Sequence, residues 1–289
     1  MPDVPSAGQL ALIFAAIAVF VVGEGLSLMR LRTERVAAAE RDISGRRSEN
    51  LRVLSKTCMS VGVLLCVGVL AWHGFARGTW RPLEDNFEAL VSLAFLLTLF
   101  IAYTQRTHPL RGLDWFMMPI VVLLLLLAAV FGKTKPHAYL DTTWSLVHVS
   151  ASFGGFVLFA IAGSVGGLYL YVNRRLRSKR LVPGQGFGSL ERLEHLTLVS
   201  VTLGFALLTI GLITGLVRVL EPHGRNSLGP EWYRNPKVWL TFIAWCVYAL
   251  VLHSPINPAF RGKRMAFLSV VGFVLMIGTF VAVQFMPGR

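Results

Sequence analysis

Apolar residues in this chain gather into long runs separated by short polar connections, and neither the period-2 alternation of strands nor a narrow amphipathic stripe dominates. Eight runs stand out, at about 10–29, 57–75, 87–104, 115–132, 143–172, 196–217, 238–253 and 265–285. Most reach the ~20 residues that a helix needs to cross a hydrocarbon core of roughly 30 Å. The pattern predicts an all-α, polytopic integral membrane protein with eight transmembrane helices, forming a single transmembrane domain over 1–289. The first run, Leu10 to Leu28, is full length with no A-x-A-like site after it, so it reads as a span and not a cleavable leader.

The most informative run is the fifth, which carries no charged residue from Thr143 to Val172. At about 100° per residue, His148, Ser152, Gly155, Phe159, Gly163 and Gly166 share one stripe. Small residues at this spacing admit a neighbouring helix or a flat ligand close to the backbone. An imidazole there is costly against lipid, so it is expected to face protein, water or a ligand. The sixth run carries Gly204, Gly211 and Gly215 on one face, with Gly211 and Gly215 in G-x-x-x-G spacing, which predicts helix packing.

Composition agrees with the runs: 54% of the 289 residues are hydrophobic and 15% charged, against about 25% charged in soluble domains. The net charge of +13 does not point to nucleic acid, because the basic residues sit in connections between apolar runs. The connections after the first, third, fifth and seventh runs hold 8, 2, 6 and 3 Lys and Arg, or 19 of the 28. The positive-inside rule then places both termini outside and these four connections in the cytoplasm of a bacterial-type inner membrane. The first of them, Arg30 to Lys56, mixes both signs around an alanine run and reads as a solvated helix extending the first span.

Candidate chemistry is sparse. Cys58 and Cys66 lie eight residues apart, about 12 Å along a helix and too far for a disulfide, and no C-x-x-C is present. The seven histidines form no H-x-x-x-H pattern, which leaves a zinc site unsupported. Glu24 is an acid within the first run and reads more readily as a snorkelling or paired carboxylate than as an ion site. His148 falls near the outer end of the fifth span and His253 near the inner end of the seventh, while His73, His137 and His223 belong to outer connections or span ends. Trp72, Trp80, Trp144, Trp232 and Trp239 fall at or beyond the outer interface, against Trp115 alone at the inner one. The outer connection after the sixth span adds Arg218, Arg225, Arg234 and Lys237 to Trp232 and Tyr233. Aromatic faces beside cations suit a flat, apolar, dianionic molecule. Haem is one, and histidine is its commonest protein ligand.

Four segments, in order, resemble the cytochrome c assembly family, which includes CcsA/ResC, CcmC and HemX-like proteins: R-P-L-E-D-N-F-E-A-L-V-S-L-A-F, W-S-L-V-H-V-S-A-S-F-G-G-F, L-E-R-L-E-H-L-T-L-V-S-V-T-L-G-F-A-L-L-T-I-G-L-I-T-G and N-P-K-V-W-L-T-F-I-A-W-C-V-Y-A-L-V-L-H. The resemblance covers about 58–289. It implies haem held at the outer surface by a tryptophan-rich loop and external histidines, with a further histidine inside the membrane. Carried over, His148 is an external iron ligand and His253 the intramembrane one. Trp232, Tyr233, Asn235 and Pro236 then remain from the tryptophan-rich loop, with Trp144, Trp239, Arg225 and Arg234 around the haem. The family's W-G-x-x-W-x-W-D core is replaced by H-G-R-N-S-L-G-P-E-W-Y-R-N, Asn235 stands for the aspartate and Val238 for the next glutamate, and no histidine follows His253. This resembles the HemX-like branch with a degenerate loop. It implies a protein that handles non-covalent b-type haem for cytochrome c maturation or haem metabolism, with the family's thioether-forming activity not expected. Haem, other assembly or membrane proteins and the bilayer are the implied partners, and nucleic acid is not. A small-solute or ion permease using Glu24 and the glycine-lined spans, or a structural subunit of a membrane complex, are the alternatives.

Overall fold

The computed structural model of the chain describes residues 4–37, 44–78, 83–107, 112–134, 143–178, 189–220, 232–253, 257 and 261–285. Among them are eight α-helices: α1 Ala7–Ala37, α2 Ser44–Arg77, α3 Asn86–Thr107, α4 Leu113–Phe131, α5 Thr143–Arg177, α6 Leu190–Leu220, α7 Pro236–Leu252 and α8 Lys263–Phe285, with one 3-10 turn at Trp232–Arg234. Each predicted run lies on one helix. Six helices, α1 to α6, are long and apolar enough to cross a membrane, and α7 contributes a shorter apolar stretch, Val238–Leu252. The bilayer requires helices here, because in hydrocarbon every backbone N–H and C=O must be satisfied within the segment. Large apolar side chains such as Leu64, Val130 and Val274 lie exposed on helix surfaces, as lipid contact demands. As expected, helix continues past the first span, to Ala37.

The chain divides into two compact units. Unit 1 comprises Met1–Thr107 and Met117–Pro136. In it α1 and α2 pair closely and antiparallel. The ring of Phe20 seats on Gly62, a Cβ on Gly8 would meet Trp72 at 2.8 Å, and Ser55 Oγ donates to the Gly23 carbonyl at 3.1 Å. Glycine lets these helices approach where any other residue would hold them apart. Next, α2 packs on α3, whose Phe87, Leu90, Leu93, Leu97 and Ile101 are fully buried.

Unit 2 comprises His108–Phe116 and His137–Arg289. Its centre is α5, which packs along α6 and α8, while α7 packs on α8 and α6. Phe159 of α5 and Tyr248 of α7 stack at 3.6 Å, nearly parallel, and both are fully buried. The small-residue stripe of α5 is filled by protein. Gly163 faces Phe273, Gly166 faces the Ala266 carbonyl, and Gly155 faces the α6 backbone at Gly204 and Leu208. Before α7, Asn235 stands at the N-cap position, its carbonyl accepting from Val238 N–H at 3.1 Å, and Pro236 takes the first helical position, where its missing N–H costs nothing. Where the family pattern has aspartate, Asn235 is an equally good cap.

Candidate functional site

The α5–α6 seam fixes His148. Its Nδ1 donates to the Gly211 carbonyl at 2.7 Å. A carbonyl only accepts, so the proton is on Nδ1 and a neutral ring keeps its lone pair on Nε2. Gly211 and Gly215 make this possible. A Cβ at Gly215 would lie 2.8 Å from His148 Cε1, and one at Gly211 would lie 2.7 Å from Ser152 Oγ. The same Gly211 carbonyl also accepts from Thr214 Oγ1 at 3.1 Å. The G-x-x-x-G pattern is therefore a packing surface, as expected, and what it packs against is the histidine turn of α5. His148 is half-buried. An imidazole anchored through one nitrogen to a carbonyl has the arrangement of a metal-ligating histidine, whose orientation and tautomer are set by that bond.

Around the beginning of α7 the side chains are aromatic and exposed. Trp239 Nε1 donates to the Tyr233 carbonyl at 2.8 Å, and Trp239, Phe242 and Trp245 run along α7 with centroid spacings of 6.3 and 6.1 Å. Trp245 Nε1 donates to Thr209 Oγ1 of α6 at 3.0 Å. Trp144 (one turn before His148), Tyr233 and Trp239 are about half-exposed, and Arg234 is exposed. Arg225, His137 and His223 lie outside the described residues, as does the Trp232 side chain.

His253 is placed elsewhere. It follows the end of α7, exposed, with Nδ1 donating to the Ala249 carbonyl at 2.9 Å. The Phe159–Tyr248 stack sets α5 and α7 at a common level. His148 lies eleven residues before Phe159 and His253 five after Tyr248, so the two histidines are separated by about 24 Å of helical rise. They do not share one ligand.

The sequence reading missed a buried polar cluster in unit 1. His73 Nε2 meets Asp85 Oδ2 at 2.6 Å, and Arg77 bridges Glu84, Asp85 and Glu88 at 3.1, 3.1 and 2.9 Å. Ligand atoms of His73, Asp85 and Glu88 lie within 4.8 Å of one another. The single Arg77 guanidinium contacts all three carboxylates and offsets one of their charges, and His73 Nε2 is already bonded to Asp85, so the described contacts form a hydrogen-bonded ion cluster. Two local signals did mark it: Ser6-x-x-Gln9 and Asp85-x-x-Glu88 are capping-box patterns.

The family model for the cytochrome C assembly protein matches residues 54–287. The chain is 25% identical over 269 residues to the cytochrome c biogenesis protein CcsA of Prochlorococcus marinus, covering 83% of each chain. It is 25% identical over 248 residues to CcsA of Guillardia theta, covering 78% of this chain and 81% of that one. It is 23% identical over 248 residues to CcsA of Mesostigma viride, covering 75% and 76%. No solved structure matches. The family match runs from within α2 to the end of α8 and takes in every described residue of the His148 seam, and on that extent the chain belongs to the cytochrome c assembly protein family.

Proposed function

We propose that the protein is a multi-pass inner-membrane haem-handling member of this family, of the HemX-like kind, serving cytochrome c maturation or haem metabolism. A non-covalent b-type haem would be held where α5 and α7 begin. His148 would be an axial ligand through Nε2, with Trp144, Trp232, Tyr233 and Trp239 offering aromatic faces and Arg225 and Arg234 the cations for the propionates. When bound, haem supplies the iron and its redox chemistry. The residues of the chain bind, orient and shield it, and none needs to form a bond to substrate. His253 would be a separate intramembrane ligand. The observation that carries this reading is the 2.7 Å bond from His148 Nδ1 to the Gly211 carbonyl, which orients a half-buried imidazole one helical turn after Trp144.

Protein purified from haem-supplemented cells should show a Soret band that is weakened or shifted in His148→Ala. Absence of any band from the wild type defeats the reading and advances the permease and scaffold alternatives. The proposed topology has eight crossings with both termini outside, resting on the distribution of Lys and Arg. Single cysteines introduced at Ser227 and Ser178 should label from opposite sides of intact cells, and labelling from one side overturns the orientation.

A further inference from the structure

Around His73, hydrogen bonds join the starts of two helices. At the start of α1, Gln9 N–H donates to Ser6 Oγ at 3.4 Å and Ser6 N–H donates to Gln9 Oε1 at 2.8 Å, a reciprocal capping box. The Ser6 bond fixes which end of the Gln9 amide is oxygen. Its Nε2 therefore faces His73 Nδ1, at 3.1 Å, and donates to it. His73 Nδ1 is then the acceptor, and the ring proton lies on Nε2, donated to Asp85 Oδ2 at 2.6 Å. Asp85 in turn caps α3, its Oδ1 accepting from Glu88 N–H at 2.7 Å. Gln9, His73 and Asp85 are all at least nine-tenths buried, so each of these bonds is costly to break.

We propose that His73 is a proton-operated coupling between the caps of α1 and α3: neutral, it joins them, and a second ring proton releases α1. The family match begins at residue 54, so the coupling fastens a helix outside the matched region to one inside it. A second proton, taken from water, would bind Nδ1 and set N–H against N–H at Gln9. Relief requires the Gln9 amide to turn over, which withdraws Oε1 from the Ser6 N–H and undoes that half of the α1 capping box. The other side of the ring responds in the opposite sense, because Glu84, Asp85 and Glu88 face an imidazolium favourably while Arg77 on α2 opposes it. Among the described residues, Phe87 sets its ring against His73 at 5.1 Å, and the Lys133 carbonyl accepts from the Phe87 N–H. The proton thus strengthens the α3 side and breaks the α1 side.

Nuclear magnetic resonance on the full chain in lipid nanodiscs tests this directly. Trp72–His73 is the single Trp–His pair in the sequence, so carbonyl-labelled Trp with nitrogen-labelled His identifies the residue without a variant. Near neutral pH the ring should show a protonated Nε2 and a bare Nδ1. On acidification it should become imidazolium, and hydrogen exchange at the Ser6 amide should quicken at least about tenfold as its bond to Gln9 Oε1 is lost. Gln9→Glu keeps the capping box but replaces the donor by an acceptor. Its imidazolium should form at about tenfold lower proton concentration, with the α1 cap retained. A proton on Nδ1 in the wild type, a titration indifferent to Gln9→Glu, or exchange at α1 that ignores the ring's state each overturn the proposal.

Discussion

The α5–α6 seam of unit 2 and the α1–α2–α3 corner of unit 1 each hold a histidine, and the two differ in what holds them. His148 is anchored by a backbone carbonyl on one nitrogen, at a seam whose closeness depends on glycine. His73 engages side chains through both nitrogens, Gln9 on one and Asp85 on the other. A carbonyl anchor sets the tautomer, with the ring proton on Nδ1. Two side-chain partners fix the ring inside a network and commit both nitrogens to structure. The contrast lies in the partners each ring holds, although the sequence presents both as imidazoles near the ends of apolar runs.

The largest effect expected from breaking this contrast lies in the corner. Arg77→Met leaves buried Glu84 and Asp85 and half-buried Glu88 without their shared guanidinium, and should cost about 3–5 kcal/mol of stability to unfolding in detergent. A loss below about 1 kcal/mol would mean that charge does not hold the corner. The seam comes next. Gly215→Leu drives a side chain into the His148 ring and should cost about 1–3 kcal/mol while lowering haem retention. Gly68→Ala is the matched control, because a Cβ there meets nothing within 4 Å and should be neutral or stabilising by up to about 1 kcal/mol. Equal losses in the two would show that the seam is not specially close. The smallest effect is at the centre of unit 2. Among the described residues the buried Tyr248 hydroxyl meets no hydrogen-bond partner, so Tyr248→Phe should be unchanged or more stable, by about 1 kcal/mol, in thermal unfolding. A clear destabilisation would reveal a polar partner for that hydroxyl.

The elements were legible because the bilayer imposes a single rule on length and polarity. The runs at 57–75 and 143–172 sit inside α2 and α5, which continue beyond them as polar helix. Gly211 and Gly215 were legible as packing residues from spacing alone. That they pack against His148 was not, since the partners are 63 residues apart and periodicity describes only one helix at a time. The Gln9–His73 bond spans 64 residues, and His73 read simply as a residue at a span end. The Phe159–Tyr248 stack was hidden for the same reason: two aromatic residues in apolar runs give no sign of facing each other.

Haem titration of the purified wild type beside His148→Ala and His253→Ala, followed by absorption and magnetic circular dichroism, tests the central claim most directly. The account predicts that His148→Ala lowers affinity at least about tenfold, the loss of ~1.4 kcal/mol or more of ligation, and removes the histidine-iron signature of the site beside Trp144 and Trp239. His253→Ala should leave that signature in place, because it lies about 24 Å away by helical rise. An identical spectrum and affinity for His148→Ala and the wild type would contradict the account.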